Sequence, residues 1–532
     1  MAERHLVVGR GNWRMALLFV VGALVVGVGI TAAFEVSRNW TVIGLLGIAA
    51  LFPTLIIRPA RIYGLLVYFV ALMVEPTGKS LDKYFVDVAS YERLGYIPTS
   101  ADLAIILWPS DVVLIFLVGT LLLRKLSGGQ SLYFPRAAHL IVAFIIWAAF
   151  VSYLYSPLIY LSIGELFQFV RFLFIFIYAA NAVDSPRVVR WLIVILLGCL
   201  LFESVITIGM YLANFTGSPL AFVYSFSGSS GYVADFENSS GITLEDNSAF
   251  RSVGTLGNVI WLVMFLEFLL PLAFVYFWMD QRPLPRLMSL AIFGLGSAAF
   301  VLTFSRMGVI SLGFGLGFAF LLLLLRRRLT AIVVVPLLLL GATGAMIVAP
   351  YAYDYMLTRP ETVSNRIPLM IKSLRMIASD PIFGVGLNNH TVSKDEMFEE
   401  TVRGEKYSPV HNHYLAIATE VGLFGIGLQI AFFAWVLAEA VRRTRSEEFV
   451  VQLFAIAAAS TFVTLYLQWF GDNFSGHVPR AMFYFFSGAV FGLRGIDRRR
   501  RARELEPSRA PATPGRGNAV RDAGPAGHAA PS

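Results

Sequence analysis

Pro409-Val410-His411-Asn412-His413-Tyr414-Leu415-Ala416-Ile417-Ala418-Thr419-Glu420-Val421-Gly422-Leu423-Phe424-Gly425 is the place where a long polar segment runs into a long apolar one. The apolar run, 411–440, exceeds the ~20 residues that a bilayer crossing needs. His411 and Asn412 then sit at the mouth of a membrane helix, facing water. An imidazole at such a boundary can take a proton near neutral pH. Polar residues also open a span for no chemical reason, because a span must begin somewhere. The rest of the chain decides between these two readings.

The chain has 532 residues, of which 57% are hydrophobic and 14% charged, with a mean hydropathy of +0.70. Soluble domains carry about a quarter charged residues. Repeated apolar runs of bilayer length therefore predict an all-α polytopic membrane protein, with about 14 spans. They fall near 15–34, 40–57, 60–74, 102–123, 137–155, 160–181, 190–213, 258–278, 286–304, 307–325, 329–349, 411–440, 449–469 and 480–496. The run from Met15 to Phe34 is too long for a signal-peptide core and is expected to stay as a span. The single cysteine, Cys199, lies in an apolar run, so neither a disulfide framework nor a Cys-based metal site is expected.

Net charge is +8. The basic residues cluster in short loops beside apolar runs, as orientation signals do, which argues against nucleic-acid binding. Arg58 and Arg61, Arg124 and Lys125, Arg187 and Arg190, Arg326 to Arg328, Arg442 to Arg445 and Arg498 to Arg501 all mark one side. That side is read as cytoplasmic, with both termini inside. The opposite side carries the long segments Glu75 to Ser100, Asn214 to Gly257 and Pro350 to Val410. The last is a large extracytoplasmic loop before the twelfth span. Within it, Ile367, Met370, Ile371, Leu374 and Ile377 give Ser364 to Ser379 one apolar helical face, to lie on the bilayer or across the bundle mouth. Residues 1–503 read as one integral membrane domain, and 504–532 as a disordered cytoplasmic tail rich in Pro, Ala, Gly and Arg.

Few cations fall on the outer side. Arg251 precedes Ser252-Val253-Gly254-Thr255, Arg306 lies in the short turn Thr303-Phe304-Ser305-Arg306, and Arg366 opens the loop helix. An arginine at a rim often meets only lipid phosphate. Arg251, Arg306 and Arg366 near one histidine could instead hold a diphosphate, since guanidinium forks bind phosphate oxygens and stay charged. Arg171 sits inside a span and needs a partner; Glu165, Glu203 and Glu267 are the candidates, in a structural pair or at a substrate contact. His390, His411 and His413 lack the spacing of metal ligands, and no HExxH or Cys pattern accompanies them. Glu420 falls on the helix face opposite His411 and is no obvious orienting partner for it.

His411-Asn412, Tyr414-Leu415 and Glu420-Val421-Gly422-Leu423-Phe424-Gly425 together resemble the signature of the O-antigen ligase and polymerase superfamily. Arg251 with Gly254-Thr255 and Asn258, Ser305-Arg306, and Arg366 followed by Asp380-Pro381, Gly384 and Gly386 agree with it in order. The resemblance covers about 251–427 and is only topological elsewhere. It implies a metal-independent, inverting membrane glycosyltransferase of the bacterial inner membrane, working on the periplasmic side without a cofactor. The implied donor is a glycan on undecaprenyl diphosphate, and the acceptor a sugar hydroxyl on a glycan or on lipid A–core. His411 would be the general base. Arg306 and Arg366 would bind the diphosphate, with Arg251 a third candidate. Asn412, His413, Tyr414 and Arg171 would support them.

Two departures stand out: more spans than the family usually has, and a second imidazole, His413, beside His411. The resemblance leaves polymerase and ligase open. The long second outer segment leans toward a polymerase of surface or exopolysaccharide, with other polysaccharide-assembly proteins as candidate partners. A lipid-linked glycan flippase is the competing class. It would need charged, water-accessible groups at mid-membrane, where only Arg171 and a few glutamates are found.

Overall fold

The computed structural model describes residues 60–73, 79–80, 106–127, 131–213, 251–326, 328, 360–398, 410–474 and 476–505. The apolar runs become helices: α1 (Ala60–Met73), α2 (Pro109–Ser127), α3 (Ala138–Tyr155), α4 (Ile159–Ala182), α5 (Pro186–Leu212), α6 (Val259–Met279), α7 (Pro283–Val301) and α8 (Arg306–Leu325). The loop contributes α9 (Pro360–Ser379) and α10 (His390–Met397), and the chain continues through α11 (His413–Arg443), α12 (Phe449–Gly471) and α13 (His477–Leu505). Besides helices there is only a minimal antiparallel pair among the described residues, Lys79–Ser80 against Ile106–Leu107. Eight of the described helices are long and apolar enough to cross a membrane, by length and composition. The spans expected at 15–34, 40–57 and 329–349 and the tail from 506 lie outside the described residues. α13 runs on to Leu505, past the tail boundary expected after 503.

Local chemistry sets the helix starts. Ser185 caps α5 ahead of Pro186. Asn258 caps α6 by accepting from Ile260 N at 2.8 Å, and Ser305 caps α8 by accepting from Gly308 N at 3.2 Å. Each oxygen satisfies an N–H that the first turn leaves without a helical partner.

α6 and α12 are buried nearly all round and form the centre of the bundle. α3 and α7 turn apolar side chains such as Ile146, Phe150, Leu287 and Leu290 outward, as a lipid-facing rim does. Successive helices alternate in direction, so the arginine-rich turns gather at one end. There Arg443 pairs with Glu439 at 2.5 Å and Asp497 at 2.8 Å, and Arg61 with Asp184 at 2.7 Å. The other end holds the start of α11, the end of α12 and the loop helix α9.

α11 is broken. Gly422 has φ +70° and ψ 178°, a conformation open essentially to glycine alone. The carbonyls freed at the break are not left bare. Val385 N donates to Thr419 O at 3.0 Å, Gly386 N to Glu420 O at 2.9 Å, and Trp147 Nε1 to Val421 O at 2.8 Å. In return Leu423 N donates to Pro381 O at 2.8 Å. The turn Pro381–Gly386 is thus stitched into the gap, as irregular backbone at membrane depth requires. The Glu420 carboxylate accepts from the N–H groups of Asn388 and His390, tying α10 to the same break.

Candidate functional site

α12 ends at Gly471, and its last carbonyls have no helical partner. Residues singled out in the sequence take two of them and one carbonyl a turn earlier. Asn412 Nδ2 donates to Phe470 O at 3.1 Å, Arg366 Nη1 to Gly471 O at 3.0 Å, and Tyr414 Oη to Tyr466 O at 2.8 Å. Asn412 also caps α11, accepting from Leu415 N at 3.0 Å. One side chain therefore fixes the start of α11 against the end of α12, with His411 next to it.

The other two arginines arrive through the turn before α8. Arg251 Nε donates to Thr303 O at 2.8 Å, three residues ahead of Arg306. Phe304 in this turn has φ +50°. Met307 lies hard against Gly471: a Cβ at Gly471 would stand 2.5 Å from Met307 Cγ. The turn carrying Arg306 is therefore seated on the end of α12. The segment after Arg251 is held from α5, where the Glu203 carboxylate accepts from Thr255 N and Thr255 Oγ1, both at 2.7 Å.

Asp472 caps α12 within the fields of Arg366 and Arg251. Its Oδ1 is 3.9 Å from Arg366 Nη2. Burial pushes its carboxyl up to about 6, and the positive fields of Arg366 and Arg251 pull the other way. His411 is half-buried, and burial followed by the nearby Arg366 guanidinium lowers its pKa below the ordinary imidazole value. An imidazole so placed is neutral at physiological pH and can accept a proton.

The remaining histidines part company. His413 is 2% exposed and boxed by Trp469 and Phe474, each with ring centroids at 5.5 Å. His390 is buried, its Nδ1 2.8 Å from Thr419 Oγ1, and burial beside Lys394 lowers it to about 3. Among the described residues no three His, Cys, Asp or Glu side chains gather as metal ligands would.

Arg171 corrects one expectation. Its partner is Asp111, at 2.6 Å, and not Glu165, Glu203 or Glu267. Glu165 pairs with Arg480, Glu203 holds Thr255, and Glu267 Oε1 lies 2.6 Å from Ser311 Oγ. The pairs follow which helices touch, and α4 packs against α2 and α13. Asp111 also caps α2, accepting from Trp108 N at 2.9 Å.

Residues 290–430 match the family model described as O-antigen ligase. That stretch is similar to the O-antigen ligases. The likeness read from His411-Asn412 and Ser305-Arg306 is thereby borne out over that stretch, and the apolar helices indicate a multi-pass helical membrane protein. Arg306, Arg366 and His411 lie inside the matched stretch, as do the break at Gly422 and its stitching turn. Arg251, Asp472 and Arg171 lie outside it. No curated protein matches the chain. Asp472 was missed in the sequence because an acid just past an apolar run reads as a helix end. The signal available was its place in Gly471-Asp472-Asn473, polar residues at the same rim as His411.

Proposed function

We propose that this protein transfers a glycan from undecaprenyl diphosphate to a sugar hydroxyl, with His411 as general base and Arg306 and Arg366 on the diphosphate. The observation carrying this reading is Arg366 on the last carbonyl of α12, with His411 close enough to feel its charge. The acceptor oxygen attacks the anomeric carbon and its proton passes to the His411 imidazole. The bond from that carbon to the diphosphate breaks, and its electron pair leaves on the diphosphate. Negative charge grows on the leaving group, where fixed guanidinium groups in a partly dry site favour it. Attack opposite the leaving group inverts the anomeric centre, and the scheme asks for no metal.

Arg251, anchored to the Arg306 turn, adds to the same positive field. Asn412 and Tyr414 place His411 by tying α11 to α12. His413, closed in by aromatic rings, serves packing, which favours His411 as the base. Arg171 is neutralised by Asp111 and belongs to the scaffold. The arginine-rich end of the bundle supports a cytoplasmic assignment for that end, and so a periplasmic site in a bacterial inner membrane. We favour polymerisation of a surface or exopolysaccharide, with ligation to lipid A–core or protein as the alternative acceptor choice.

His411→Ala tests the reading. The variant should insert normally and accumulate unused lipid-linked glycan on the outer leaflet. Normal polymer or ligated product would remove His411 from the chemistry. Glycan stranded on the inner leaflet would point to a flippase instead.

A further inference from the structure

The buried polar groups beneath Asp472 form a chain that the transfer scheme above leaves unused. Gln468 lies one turn before Asp472 on α12, and its Nε2 donates to Asp472 Oδ2 at 2.6 Å. That bond sets the amide's orientation, because a carboxylate can only accept. Gln468 Oε1 then faces Ser311 Oγ on α8, at 3.0 Å. An amide oxygen also only accepts, so Ser311 is the donor here, its hydroxyl also lying 2.9 Å from Met307 O and 3.0 Å from Gly308 O. Ser311 Oγ also donates to Glu267 Oε1 on α6, at 2.6 Å. Hydrogen-bond contacts thus run unbroken from Glu267 through Ser311 and Gln468 to Asp472. Glu267, Ser311 and Gln468 are fully buried, and Asp472 is 6% exposed.

We propose that Gln468 is a positioning residue for the diphosphate-binding arginines, and that Glu267 and Ser311 hold it from the bundle core. With Oδ2 of Asp472 engaged from below, Oδ1 is left facing Arg366. Asp472 in turn keeps the Arg366 guanidinium over the end of α12. A 1 Å error in such a group can cost a hundredfold, roughly, in a reaction that depends on alignment. The chain crosses α6, α8 and α12, so it also locks the helix bearing Arg306 to the helix whose end Arg366 covers. This proposal rests on the transfer reading of Arg366 and His411.

Titration of the purified full-length protein in nanodiscs with undecaprenyl diphosphate separates the two. Gln468→Leu and Glu267→Leu should each weaken binding by about tenfold, whereas Glu267→Gln, which keeps an acceptor oxygen toward Ser311, should stay within about twofold of wild type. Gln468→Asn, which is too short to reach Asp472, should resemble Gln468→Leu and guards against a variant that fails to fold. A role in bundle stability alone would lower the melting temperature and leave the affinity unchanged, which would overturn the proposal. Unchanged affinity in both Gln468 variants, with wild type binding and His411→Ala inactive, overturns the positioning role and spares the transfer reading. A wild type that does not bind undecaprenyl diphosphate removes both.

Discussion

The Arg366 guanidinium donates to the Gly471 carbonyl at 3.0 Å while its other terminal nitrogen stands 3.9 Å from Asp472 Oδ1. The first contact fixes the group and the second neutralises it without a close hydrogen bond. A phosphate oxygen can therefore take the Asp472 side of the fork while the carbonyl keeps the guanidinium in place. Because α12 is buried nearly all round, that carbonyl is a rigid reference point.

Arg366→Lys keeps the charge and loses the fork. A lysine can reach either the carbonyl or the diphosphate in one geometry, and not both. We expect transfer to fall by roughly tenfold in the lysine variant and a hundred- to a thousandfold in Arg366→Ala. The loss should be read as kcat/KM for the lipid-linked donor. Equal losses in the two variants would mean that the charge alone contributes nothing, and wild-type activity in both would mean that neither the fork nor the charge of Arg366 is used.

The pH dependence divides between two groups. The His411 pKa lies below 6.5, and the base must be neutral to work. Transfer should therefore be fully developed at pH 7 and decline only as the pH falls below the ordinary imidazole range. A rate still climbing between pH 7 and 8 would contradict this.

Asp472 has the opposite bearing on stability. Its carboxyl moves from 3.8 up to about 6 on folding, so the folded state binds the proton more tightly. Its contribution is full below pH 3.8 and lost as the pH rises to about 6, an effect of roughly 3 kcal/mol. Asp472→Asn should thus raise the apparent melting temperature more at pH 7 than at pH 4, while transfer weakens. The same shift at both pH values would show that Asp472 carries no such cost.

Gly422 sits where the Pro381–Gly386 turn enters the α11 break. A Cβ there would stand 1.9 Å from Ile382 O, on a backbone with φ +70°. Gly422→Ala should cost on the order of 1–3 kcal/mol for the backbone alone, with more from displacing the turn. Gly427, further along the same helix, has nothing within 4 Å of its Cβ position. Gly427→Ala is the control and should leave expression and melting temperature near wild type; matching losses in both variants would mean that the break is not special.

The helices were legible because hydropathy alone fixes a membrane span. The run 258–278 became Val259–Met279, and 449–469 became Phe449–Gly471. The loop helix expected over Ser364 to Ser379 is α9, starting earlier at Pro360. Partners across helices were not legible. Arg171 had several glutamates within reach by depth, and only the packing of α4 on α2 selects Asp111. The break at Gly422 was hidden too, because the apolar run continues through it and glycines are common in spans. Asp472 and Gln468 come together with Arg366 and Ser311 only when α8, α9 and α12 meet.

Asn412 separates structure from chemistry most cleanly, because its two ends do different things. Its oxygen caps α11 through Leu415 N, and its nitrogen donates to Phe470 O. Asn412→Asp keeps the cap, since Asp caps about as well as Asn, but it has no donor for Phe470 O and turns a second oxygen on that carbonyl. Asn412→Ser keeps a cap and is too short to reach α12. The Ser variant should hold stability within about 1 kcal/mol of wild type, while the Asp variant should lose more because a buried carboxylate oxygen then faces a carbonyl. Transfer should nevertheless drop by about tenfold, because His411 is then no longer registered against the Arg366 end of α12. Asn412→Ala loses both bonds, so it should lose stability as well as activity. If the Asp and Ser variants transfer at the wild-type rate, the bond to Phe470 O does not position the imidazole, and the conformation of residues 409–413 alone must do so.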